Sequence, residues 1–256
     1  MSNLPIETIM VFGLLMARTS SLVVMAPILG LRTGFSGHKI AIIVVLSLVL
    51  FVAVNPAPQG KPEPMLYAIL MLREVMVGSF LAFFLQLILL SVRVGGEMIS
   101  QAMGLMTARL QDPTTGVQST LVSSLYENYF LLSLLVMNAH LWLIRGLYES
   151  FERAPVGRLE FSSGMWFTIQ SMFTDMFAAG IVFAAPMLIL LAVVSVVLGL
   201  LARAVPTLNV MELGFSLRVS VSLLAMYFFA PLLEPAMLKL NGSFLTWLDQ
   251  GLEALG

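Results

Sequence analysis

Six stretches of this chain are apolar for long enough to cross, or nearly cross, a bilayer's hydrocarbon core, for which roughly 20 residues suffice. They cover 9–31, 40–55, 75–92, 128–144, 176–202 and 219–233. Charged residues bracket most of them: Lys39 and Lys61 around the second, Glu74 and Arg93 around the third, Glu127 and Arg145 around the fourth. The first is interrupted by Arg18 and Pro27, and the sixth is predicted to end near Pro231 and Pro235. A seventh piece, 161–174, is too short to span upright and is predicted to be an interfacial or protein-buried helix. Between the runs, NPAPQGKPEP at 55–64, RAPVGR at 153–158 and AVPTLN at 204–209 read as turns. No repeat of 20–50 residues is visible. The pattern predicts an all-α integral membrane protein with about six long apolar helices in hairpins. It reads as one membrane domain over 1–256, with N-terminal helices in 1–160 and a C-terminal helical hairpin region in 161–256.

Composition supports this. The chain is 59% hydrophobic and 11% charged, against about 45–50% and 25% for a soluble domain. Too little charge remains to cover a water-facing surface. The net charge of −1 offers no basic footprint for nucleic acid. The absence of cysteine removes disulfides, thiolate metal sites and cysteine nucleophiles. The N-terminus lacks a basic region and a small-residue cleavage pattern, so the first apolar run is expected to stay as a helix. Lysine and arginine divide almost evenly between alternate loops, and the positive-inside rule only slightly favours an outside N-terminus.

Some polar residues need an explanation. Arg18 lies near the middle of the first run, where an unpaired charge costs about 2.5–3.5 kcal/mol on insertion scales. Glu74 and Glu97 are both candidate partners. His140, in NAHLW, is the one histidine inside an apolar run; it reads as a hydrogen-bonding residue before it reads as a proton relay. Small residues recur at helical spacing in the pairs Ser91/Gly95, Gly104/Ala108, Gly180/Ala184 and Ser195/Gly199, which favours close helix packing.

Catalytic chemistry has little support. Gly34-Phe35-Ser36-Gly37 matches the G-x-S-G of rhomboid-type proteases, but it lies in the loop after the first helix, where the rhomboid serine begins a late helix. No P-loop, HExxH or G-x-G-x-x-G is present, and no metal or cofactor is expected. A secondary carrier would show related halves, and none is evident. The chain reads as a structural or gating component, not an enzyme.

The stretch 93–119, RVGGEMISQAMGLMTARLQDPTTGVQS, is not explained by burial alone. Gly95, Gly96 and Gly104 loosen a helix and permit close backbone approach, and Asp112-Pro113 followed by Thr114-Thr115-Gly116 signals a turn. Irregular backbone at membrane depth is tolerated only where protein or water satisfies it. The segment is therefore either a surface connection or a loop folded into a central cavity.

The order Gly96-Glu97, Gln101, Gly104, Ala108, Asp112-Pro113, Gly116, Gln118-Ser119 resembles the signature of the FliR family of flagellar type III export proteins. The resemblance extends to Ala17-Arg18, Ala26-Pro27 and Gly30; to Glu74 and Gly78; to Asn138, His140-Leu141-Trp142, Ser150-Phe151, Pro155 and Gly157; and to Gly199 through Arg203, Pro206, Asn209-Val210 and Gly214-Phe215. It implies a non-enzymatic export-gate subunit in the bacterial inner membrane at the flagellar basal body. The implied partners are FliP and FliQ in a hetero-oligomer, FlhB and FlhA, exported flagellar subunits in transit, and membrane lipid. It implies a plug over 103–119 including Met103, Gly104, Leu105, Met106, Leu110, Asp112, Pro113 and Gly116. Where relatives often carry phenylalanine this chain has Thr107 and Leu110, so a seal here leans on Met103, Leu105, Met106 and Leu110. The turn with Arg203, Pro206 and Asn209 would face FlhB. Arg18, Glu74, Glu97, Gln101 and His140 would be intramembrane polar positions. The equivalent injectisome subunit and a secondary carrier are the alternatives.

Overall fold

A computed structural model describes residues 6–26, 36–56, 63–105, 120–156, 165–205 and 210–255, and among these the regular structure is entirely helical. The helices are α1 (Ile6–Met25), α2 (Ser36–Val54), α3 (Pro64–Met103), α4 (Leu121–Val136), α5 (Ala139–Arg153), α6 (Met165–Ala204) and α7 (Val210–Leu255). Among the described residues, four helical stretches are long and apolar enough to cross a membrane, or five if α4 and α5 form one broken span. The stretch Lys39–Val54 of α2 is apolar but shorter. The all-α membrane class stands, while the number and limits of the spans differ from the six expected.

Each difference has a local cause. The third run extends to 40 residues because Gly95 and Gly96 do not interrupt α3. The fourth breaks where Asn138 adopts φ 59°, a left-handed conformation that asparagine tolerates. The short piece near 161–174 is not a separate helix over its described part: residues 165–174 open the 40-residue α6, which continues through Pro186. The sixth run does not end at Pro231 or Pro235, because both lie inside the 46-residue α7. Proline is tolerated in membrane helices where neighbouring groups satisfy the freed carbonyls.

The chain divides into two compact units, each drawn from separated segments. The first comprises Met1–Leu87, Leu134–Met172 and Gly242–Gly256. Its interior includes Leu15, Leu22, Leu81, Phe84, Leu147, Phe244 and Leu252, all almost fully buried. The second comprises Ile88–Ser133 and Phe173–Asn241, with Ile99, Met103, Phe130, Met176 and Ala184 at its centre. Large apolar side chains such as Val52, Phe167 and Tyr227 are more than 70% exposed. Such a surface requires an apolar surrounding of lipid or protein.

Candidate functional site

Among the described residues, each unit contains a buried polar cluster. In the first unit it is built on Arg18, which is fully buried. Its Nε donates to Glu74 Oε2 at 2.6 Å, and Nη2 lies 2.5 Å from the same oxygen. Nη1 donates to the carbonyl and hydroxyl of Ser150 at 2.9 and 3.2 Å, and Nη2 to the carbonyl of Ala154 at 2.9 Å. The Phe151 ring lies under the guanidinium, 4.3 Å from Cζ. Arg73 adds a second cation, donating to Glu74 Oε1 at 2.8 Å and to the Pro155 carbonyl at 3.3 Å. Two guanidinia face one carboxylate, but their other acceptors are the Ser150 hydroxyl and carbonyls at and just beyond the C-terminus of α5. That end carries about half a negative charge and unsatisfied carbonyls, so the arginines act as its cap. Gly78 completes the packing. A Cβ there would collide with Ser21 Oγ and the Arg18 carbonyl, so α1 and α3 approach this closely only at glycine.

The partner of Arg18 left open by sequence is thus Glu74, and Glu97 belongs to the second unit. There, α3 ends in a Schellman motif: Gly104, at φ 82°, donates to the Gln101 carbonyl at 3.0 Å, and Leu105 donates to the Ser100 carbonyl at 3.1 Å. Helix α4 begins at Thr120, whose Oγ1 accepts from the Ser123 N–H at 3.3 Å. Glu97 Oε1 accepts from the Thr120 N–H at 3.0 Å. This is the function of the acidic residue in a capping box, supplied here from another helix. The Ser100 and Thr120 hydroxyls join at 2.6 Å. Further along, Arg93 forms a bidentate pair with Glu127 at 3.1 and 2.6 Å, and Ser123 Oγ donates to the Arg93 carbonyl. The residues flanking 106–119 on its two sides are therefore clamped together into a neck.

Glycines bring the backbones of this unit together. A Cβ on Gly95 would lie 2.8 Å from the Gly180 carbonyl, one on Gly180 would lie 2.8 Å from the Ser91 carbonyl, and one on Gly96 would lie 2.6 Å from Ser123 Cα. Three of the small residues singled out by spacing therefore meet at one crossing of α3 and α6. Tyr126 of α4 packs edge-on to Phe183 of α6 at 5.2 Å.

The remaining predicted positions are dispersed. Met103 is the last residue of α3 and is buried; Gly104 and Leu105 form the turn, and Gln101 is exposed with its carbonyl in the Schellman motif. Met106, Leu110, Asp112, Pro113 and Gly116 lie outside the described residues, as do Pro206 and Asn209. Arg203 is exposed in the last turn of α6. His140 stands in the first turn of α5, half-buried, with a buried Nδ1 that has no partner. Sequence reasoning missed Arg73, Ser100, Thr120 and the Arg93–Glu127 pair. Arg93 and Glu127 had been visible only as charges bounding the third and fourth runs. Among the described residues no group of three or more His, Asp or Glu is placed to hold a metal ion.

These clusters can hold helices in fixed register, and they show no arrangement of nucleophile and base. The sequence matches the family model described as bacterial export proteins, family 1, over residues 9–243. It is 30% identical over 223 residues to the flagellar biosynthetic protein FliR of Bacillus subtilis, covering 86% of each chain. It is 29% identical over 221 residues to FliR of Escherichia coli, covering 85% of this chain and 83% of that one. FliR of Aquifex aeolicus is 26% identical over 192 residues, 75% of this chain and 74% of its own.

Proposed function

The chain belongs to the bacterial export proteins of family 1, the FliR family, and on that premise we propose that it is a non-enzymatic subunit of the flagellar type III export gate. It resides in the bacterial inner membrane at the flagellar basal body. There it assembles with FliP and FliQ, contacts FlhB and FlhA, and helps to form the channel through which unfolded flagellar subunits leave. The relatives carry flagellar names, which favours the flagellar apparatus over an injectisome.

One observation carries the plug assignment: the neck in which Glu97, Ser100, Thr120 and Ser123 fix the flanks of 106–119. A conduit wide enough for a polypeptide leaks ions unless an apolar constriction excludes water. A loop tipped with methionine and leucine supplies the dry surface. A neck tied by hydroxyls and capped helix ends returns it to one place after a substrate has passed.

The test is co-expression with FliP and FliQ, followed by purification in mild detergent and native mass determination. A stable complex of all three is expected. A lone monomer or homodimer, with the other two well expressed but left behind, would overturn the gate assignment. In the reconstituted complex, deletion of 106–111 is expected to raise ion conductance with assembly intact, and unchanged conductance would overturn the plug.

A further inference from the structure

Helix α5 differs from the apolar helices in what it turns outward. The outward side chains of α2 include Val45, Leu48 and Val52, and those of α6 include Val182, Ile189 and Val193, all more than half exposed. Helix α5 buries Leu143, Leu147, Ser150 and Phe151 on one side and presents Arg145, Glu149, Glu152 and Arg153 on the other. The Arg145 side chain is 66% exposed, and its Nε pairs with Glu149 Oε1 four residues on at 2.8 Å. Such a pair belongs to a solvated helix surface. The change of character falls at Asn138, where the chain turns by 68° between α4 and α5. Before the turn, Leu132, Leu135 and Val136 are exposed and apolar. Beyond Trp142, every exposed residue of α5 is charged. Trp142 itself is exposed, with the Arg145 guanidinium 5.5 Å from its ring. Tryptophan concentrates at the level where hydrocarbon gives way to water.

The end of α7 continues this surface within the same unit. Trp247, Leu248 and Leu252 turn inward, while Asp249, Gln250 and Glu253 turn outward. Gly146 seats Leu248 against α5, since a Cβ there would lie 3.2 Å from Leu248 Cδ2. Between the two helices lies a cleft of about 650 Å³, whose lining holds Arg145, Glu149, Glu152, Arg153, Asp249 and Glu253. Six ionisable side chains around one cleft are incompatible with hydrocarbon, where each charge would be expensive. In water they are solvated and need no further partner.

We infer that α4 and α5 do not form one broken span. The chain leaves the apolar layer between Asn138 and Trp142, and α5 with the end of α7 makes a single water-facing surface on one side of the membrane. What meets this surface is solvent or a polar protein surface, and neither acyl chains nor an apolar helix fits it. The span count of the described residues is then four. None of this depends on the export-gate reading.

The chain contains no cysteine, so single cysteines can be placed in it and probed with a charged, membrane-impermeant maleimide. Glu152→Cys and Asp249→Cys are compared with Leu132→Cys and Val193→Cys, in right-side-out and in inverted membrane vesicles. The first two are expected to react at least tenfold faster than the second two, and both in the same one of the two preparations. Arg153→Cys and Glu253→Cys repeat the measurement on neighbouring positions, so that one poorly folding variant does not decide it. The chain is labelled alone and after co-expression with FliP and FliQ. Protection that appears only on co-expression supports the inference, since it places a partner over a surface that water otherwise reaches. Reaction at 152 and 153 as slow as at 132 in both cases overturns it and restores the broken span. Reaction of the α5 and α7 positions from opposite sides overturns the shared surface.

Discussion

Arg18 uses all three guanidinium nitrogens on partners 56 to 136 residues away, in a site with no access to solvent. Breaking such a pair from one side leaves an uncompensated buried charge, which costs about 3–5 kcal/mol. Glu74→Gln is expected to cost that much, and Glu97→Ala, which removes the acceptor of the Thr120 N–H, about 1 kcal/mol. Thermal melting in detergent checks the order; equal losses would mean that the first cluster is not the anchor. Sequence showed that Arg18 needed a partner but not which one, since Glu74 and Glu97 both lie in the third apolar region and only packing distinguishes them. The cluster also brings Gly78, Ser150, Phe151 and Pro155, which sequence had given only as separate points of resemblance, around Arg18 and Glu74. Arg73 was hidden because it adjoins Glu74 and reads as a boundary charge.

At the level of elements, glycine and proline were weaker punctuation than their ordinary behaviour suggests. Gly95 and Gly96 keep α3 intact because their missing side chains let α6 and α4 approach, and helix-breaking tendency yields to that packing. Asn138 ended a helix with no glycine or proline beside it, so the break left no composition signal. Gly180→Val is expected to destabilise the chain by about 3 kcal/mol, because it drives a branched side chain against the Ser91 carbonyl. Gly199→Val should change stability by no more than about 0.5 kcal/mol, since a Cβ there meets nothing within 4 Å. Parallel melts of the two variants test this; similar losses would refute the crossing as a packing constraint.

Across the whole molecule, membrane class and family were legible, but the grouping of segments was not. The first unit takes its last residues, Gly242–Gly256, from the far end of the chain, and hydrophobic periodicity carries no information about such pairing. Those residues supply Phe244, Trp247, Leu248 and Leu252 to the interior, each contributing roughly 2 kcal/mol on burial. Gly251 lets α7 approach the Phe84 ring, where a Cβ would collide. Removing 242–256 is expected to abolish hydrogen-exchange protection around Arg18 and Glu74 while leaving Ser100 and Thr120 protected. Retained protection at Arg18 would show that the first unit does not depend on the C-terminal segment.

The distance in sequence between Arg18 and Ser150 also sets a schedule for biogenesis. With 132 residues between them and synthesis at about 5–20 residues per second, α1 leaves the ribosome on the order of 10 s before α5 exists to receive it. During that interval the nascent first helix presents a bare guanidinium to the insertion machinery. It must be held there, or wait at the lipid boundary, until its acceptors are made.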